Sequence, residues 1–281
     1  MQGARWWRSV AFVMAFHLAA PLVAAQPAAG VPPARDGAPR PSAPRVTIDH
    51  SAFDALLRAH VTDGLVDYEA FRDAPTFRRY LAVLAQASLA GADDDERLAF
   101  WINVYNAYTI QLVVTHGERE SIRNIHRTLG VLRLKGPWSE PMVRAAQRTL
   151  SLDDVAHRII RKEFPDARIH FALVSAAKGS PPLRSEAYTG AQLDRQLFDQ
   201  GTRFLKDTTR NQIETRYPRL SPIFTYYKRD FGNSRSDLGA FLAAWFDGET
   251  KKRLESGRFG MREVPFNWAL NAKPTKPTPT R

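Results

Sequence analysis

The amino-acid sequence predicts the α+β class, as a single mostly helical domain around a small β-sheet. Helix start and stop signals recur from residue 50 to residue 254, while apolar runs short enough to be strands are few. Nothing in 47–271 repeats at a fixed period, and no proline-rich break divides it, so one domain is the simplest organisation.

The elements follow in chain order. A helix is expected over 50–61, a short strand in Leu65-Val66-Asp67-Tyr68 and a second helix over 74–87. The strongest element is 94–115, where Asp93, Asp94 and Asp95 put negative charge at the positive end of the helix dipole and Gly117 supplies the stop. A shorter helix is expected at 118–127, then a turn at Gly136-Pro137. Ser151 and Asp154 are spaced as a capping box opening a helix that Pro165 ends after Phe164. The apolar run from Ile169 to Val174 reads as a buried strand, and Lys178-Gly179-Ser180-Pro181-Pro182 as the loop after it. Thr189 with Gln192 suggests a second capping box opening a helix through Lys206. A helix over 236–254 and a closing strand from Met261 to Phe266 complete the expectation.

The flanks differ in composition. Arg5 and Arg8 precede an apolar run from Ser9 that closes on Val23-Ala24-Ala25, the pattern of a secretory signal peptide over 1–25. That run is too short, and too interrupted by Pro21, for a stable transmembrane anchor. Export is therefore expected, to a periplasm or the exterior, with cleavage near Ala25. Residues 26–46 hold six Pro, five Ala and two Gly in 21 positions and read as a linker; 272–281 read as a disordered tail.

Charge and cysteine content exclude several function classes. The formal net charge is +11, but 47–271 carries 32 Lys+Arg against 28 Asp+Glu, so most of the excess lies in the flanks and nucleic acid is not an expected partner. With no cysteine there is no disulfide, thiolate metal site or cysteine nucleophile. The histidines lack zinc-site spacing, and the sequence has no glycine-rich phosphate loop, dinucleotide fingerprint or nucleophile elbow, so neither metal nor cofactor is expected.

Five blocks in order carry a resemblance. They are Phe100-Trp101-Ile102-Asn103-Val104-Tyr105-Asn106-Ala107; Ser151-Leu152-Asp153-Asp154; His170 to Val174 with Lys178 to Arg184; Ser221-Pro222-Ile223-Phe224 with Asp230-Phe231; and Asn267-Trp268-Ala269-Leu270-Asn271. Together they resemble the domain of unknown function 547, over nearly all of 47–271. The family brings no agreed activity. The resemblance implies cysteines after the buried strand, where this chain has Ser175 and Ser180.

The residues themselves nominate a site. His170 opens the expected strand and Ser175 ends it, with Lys178, Ser180 and Arg184 on the following loop, where rigid scaffolds present reactive groups. A serine near a base is the minimum for nucleophilic catalysis, so His170, Ser175, Lys178 and Ser180 are the catalytic candidates. In a strand, His170 and Ser175 fall on opposite faces, which argues against a direct pair. Asn103 and Asn106, three apart on the long apolar helix, either orient a ligand together with Arg184 or tie buried loop backbone into the core.

Two functions stay open. One is a non-catalytic binding domain in the cell envelope, taking an envelope partner or small ligand in a cleft between helix 94–115 and loop 178–184. The other is a hydrolase or acyl transferase whose serine replaces the family's cysteine. The missing thiols and missing elbow favour the first.

Overall fold

A computed structural model of the chain describes residues 46–125, 136–215 and 217–274. The expected signal peptide, the linker to residue 45 and the tail from 275 lie outside the described residues. The helices are α1 Ser51–His60, α2 Tyr68–Asp73, α3 Pro75–Gln86, α4 Asp94–His116, α5 Arg161–Glu163, α6 Ile169–Ala172, α7 Leu193–Leu205, α8 Ile223–Tyr226, α9 Arg235–Ala243 and α10 Gly248–Glu255, and a π-helical stretch over Asp154–Ile160 leads into α5.

The class is α+β and mostly helical, but the strands do not form one sheet. They make three two-stranded pieces: β1 (Val61–Thr62) antiparallel to β2 (Leu65–Val66), β3 (Val143–Ala145) antiparallel to β4 (Arg148–Leu150), and β5 (Arg219–Leu220) parallel to β6 (Arg262–Glu263). The first hairpin turns through Asp63 and Gly64, both at positive φ. Pairing continues past 271, where Ala272 bridges Val66 and the Lys273 amide donates to the Val66 carbonyl.

Helix α4 is the axis of the larger core. Its N-cap Asp93 accepts from the Glu96 amide, and its end is turned by Gly117 at φ +60°. Sixteen of its 23 residues are buried, so it is enclosed on nearly all sides. A second cluster packs Phe171, Phe204, Phe224, Phe231, Phe241 and Trp245. Helix α6 stands between the two, giving Ile169 and Ala172 to the first and Phe171 to the second.

Several local expectations are corrected. Residues 169–174 are not a strand: 169–172 make one helical turn, closed by Leu173 N donating to Ile169 O. A six-residue apolar run carries no period that separates strand from buried helix, and among the described residues no strand pairs with it. The helix expected at 118–127 is a single tight turn over Ile122–Asn124, with 126 and 127 outside the described residues. The Thr189–Gln192 box is not made; Gln196 Oε1 accepts from the Thr189 amide instead. The helix expected over 236–254 is broken at Asp247-Gly248, where Gly248 takes φ +55°. The Ser151–Asp154 box forms: Ser151 Oγ accepts from the Asp154 amide and Asp154 Oδ2 from the Ser151 amide.

Candidate functional site

The segment 170–184 carries most of the sequence-nominated residues, and α4 ties it, and Tyr188 beyond it, through two amides. Asn106 Nδ2 donates to the Ala172 carbonyl at 2.9 Å and its Oδ1 accepts from the Val174 amide at 3.1 Å. Asn103 does the same with one residue, donating to Tyr188 O at 2.7 Å and accepting from Tyr188 N at 3.0 Å. Each side chain thus supplies the donor and acceptor that a neighbouring strand would offer. Both are buried, and their amides serve the backbone. Arg184 is likewise committed to Glu186 and Asp199.

The turn after α6 is tightly knotted. Ala176 takes φ +57°, a left-handed conformation that strains a residue with a Cβ. The Ser175 and Ser180 hydroxyls lie 2.5 Å apart, and Ser180 Oγ also accepts from the Ser175 amide. Ser180 is buried. Gly179 lies against the backbone at Asn267, closer than any Cβ would allow.

His170 is not the serines' partner. Its Nε2 donates to Asp230 Oδ2 at 2.7 Å, and its ring stacks on Tyr227 with centroids 4.1 Å apart. Asp230 also takes two hydrogen bonds from Arg161, at 2.6 and 2.8 Å. Arg161 in turn donates to His157 Nδ1 at 3.0 Å and lies over the Tyr227 ring. Burial would raise the Asp230 carboxyl, but hydrogen bonds from His170 and Arg161 and their charge hold it well below the ordinary range. Burial holds His170 below the usual histidine value although Asp230 opposes the shift. His157 is lowered to about 4 by burial, then by the charges of Arg161 and His170. Asp153, 3.9 Å from His157, is raised by burial and by Asp154. The π-helical stretch that carries His157 is a form of helix often found at functional sites.

Lys178 faces elsewhere. It lines a groove of about 370 Å³ together with Leu65, Gly179, Thr209, Arg210, Ser221, Pro222 and Val264–Asn267. Its ammonium is exposed and makes no hydrogen bond or ion pair among the described residues. Arg210 also lines it, its Nε donating to the Ser180 carbonyl at 2.6 Å and its Nη1 to Asp207. This groove is an opening beside loop 178–184. A second hollow of about 570 Å³, lined by His50, Asp54, Arg58, Glu186 and Gln196 among others, has carboxylates already spent on Arg58, Arg184 and backbone amides.

Sequence reasoning missed Arg161, His157, Tyr227, Arg210 and Phe266. Only Asp230 carried a signal, as part of a motif block, and its partner lies 60 residues away. Among the described residues no helix is long and apolar enough to cross a membrane, and no group of three or more His, Asp or Glu gathers to hold a metal.

The fold and site thus define a mostly helical α+β protein in which the blocks at 100–107, 221–231 and 267–271 are bonded to segment 170–184. The family model described as a protein of unknown function, DUF547, matches residues 89–205, so the chain carries a region of that family. The blocks at 100–107, 151–154 and 170–184 lie inside this span; those at 221–231 and 267–271 lie beyond it. No curated protein and no solved structure matches the chain.

Proposed function

We propose that the protein is an exported, non-catalytic binding domain of the cell envelope that takes its ligand in the groove between Lys178 and Phe266. The observation that carries this is the pairing of the polar groups. The two serine hydroxyls bond to one another and His170, one of the two nominated bases, bonds to Asp230, so the nominated nucleophiles and that histidine are engaged apart. Lys178, free and exposed at the groove, suits ligand capture. The basic, apolar and small-residue pattern of 1–25 supports export.

Treatment of the purified chain with a fluorophosphonate, followed by intact-mass measurement, tests the non-catalytic reading. No adduct is expected; an adduct at Ser175 or Ser180 would restore the hydrolase or acyl-transferase alternative. For export, the mature N terminus measured from a cell-envelope fraction is expected at Gln26, and retention of Met1 in the cytoplasm overturns it.

A further inference from the structure

The chemistry of the groove lining narrows what it can hold. Of its eleven residues two are cations and none is a carboxylate. Arg210 already shares its charge with Asp207, whereas the Lys178 ammonium is unpaired, so the lining presents about one uncompensated positive charge. The remaining wall is largely apolar: Leu65, Pro222, Val264, Pro265 and the half-buried ring of Phe266.

The backbone decides between kinds of anion. Phosphate sites are commonly built on converging free amides. Here the Lys178 amide donates to Ala269 O, the Gly179 amide to Asn267 O and the Ser180 amide to Ala177 O, so the loop has none to offer. At β6 the Arg262 and Val264 amides are given to Pro218 O and Leu220 O, which removes donors that an extended peptide would use. The volume, near the lower end of small-molecule pockets, suits a compact ligand.

We infer that the groove binds a small carboxylic acid with an apolar body, the carboxylate on Lys178 with help from Arg210 and the body against Pro222, Val264, Pro265 and Phe266. This rests on the binding-domain reading and adds the ligand class. It also gives Lys178 a role in recognition, where the residue was nominated as a base.

Isothermal titration tests it with four probes: 4-phenylbutyrate, its neutral amide, phenyl phosphate, and the peptide N-acetyl-Ala-Ala-Phe with a free C terminus. The acid is expected to bind at least about tenfold more tightly than the amide and than the other two, the usual worth of a charge-assisted hydrogen bond. In Lys178→Met the acid is expected to lose about tenfold while the amide is unchanged; Lys178 has no partner whose loss would disturb folding. Phe266→Ala is expected to weaken acid and amide alike. Equal binding of acid and amide, preference for the phosphate or the peptide, or no binding of the acid each overturns the ligand class. Those results leave the binding-domain reading standing unless the fluorophosphonate also labels Ser175 or Ser180.

Discussion

His170 and Asp230 meet at 2.7 Å across 60 residues of chain, and the carboxylate that receives the histidine also receives two hydrogen bonds from Arg161. Three stretches are pinned at one point: the helix between the two cores, the end of the π-helical stretch and the turn after α8. Tyr227 fills the space between them, stacked on His170 and under Arg161. The geometry explains why a histidine nominated as a base is better described as an anchor.

Asp230→Asn is expected to destabilise the protein by about 2–3 kcal/mol, because the amide cannot accept from His170 and both arms of Arg161, and a largely buried guanidinium loses its counter-charge. The Asp230 side chain is about a quarter exposed, which keeps the cost below that of a fully buried pair. A urea midpoint that falls at unchanged m-value checks this; an unmoved midpoint shows that solvent already screens the pair.

Asn106→Ala is expected to cost about 2–4 kcal/mol, since it strands the buried Ala172 carbonyl and Val174 amide together. Asn106→Leu is expected to be no better, because a filled volume does not replace two hydrogen bonds. Asn103→Ala acts on Tyr188 in the same way, and the two losses are expected to be nearly additive because they share no partner. Urea unfolding of the singles and the double checks both statements, and rescue by Leu contradicts the hydrogen-bond account.

What the sequence made legible is local. The Asp93–Asp95 run and Gly117 mark both ends of α4, and Ser151 with Asp154 makes the cap its spacing implies. Where the outcome depends on distant neighbours, the local pattern misleads. Residues 169–174 look like a strand because they are a short apolar run, whereas the turn they make is held by Leu173 N on Ile169 O and by Asn106 on Ala172 and Val174, which no periodicity in that segment records. The reading of Asn103 and Asn106 as ties to buried backbone matches their geometry. The groove was out of reach, because Lys178, Arg210 and Phe266 come from three loops that only the tertiary fold assembles.

Ser180→Ala is expected to cost about 1–2 kcal/mol. As a simple turn residue it would be neutral, but its buried hydroxyl holds the Ser175 amide and hydroxyl, and alanine leaves both without it. Ser175→Ala is expected to cost less, because Ser180 Oγ can still accept from the residue 175 amide. The order of the two thermal midpoints is the check, and a Ser175→Ala loss larger than that of Ser180→Ala reverses the assignment.

Acid is expected to destabilise the protein before its carboxylates titrate. His50, buried with Nδ1 against the Tyr80 hydroxyl at 2.8 Å, is lowered to about 4 by burial against a small opposing effect of Asp49, and His157 is lowered to about 4 as well. An unfolded histidine titrates near 6.5, so between about pH 6.5 and 4 the unfolded chain binds protons that the folded one refuses. Their contribution is complete above that window and falls with pH through it, by at most about 3 kcal/mol for His50 and by less for the more exposed His157. Below pH 4 protonation of Asp230, whose folded value is depressed, removes more stability; Asp153, shifted upward, takes its proton above the ordinary carboxylate value and so offsets part of the histidine loss. A thermal midpoint that is flat above pH 7 and declines steadily from pH 6.5 to 4 is the expected profile. His157→Gln is expected to shallow that decline, and a wild-type midpoint unchanged between pH 7 and 4.5 contradicts the assignment of both histidines.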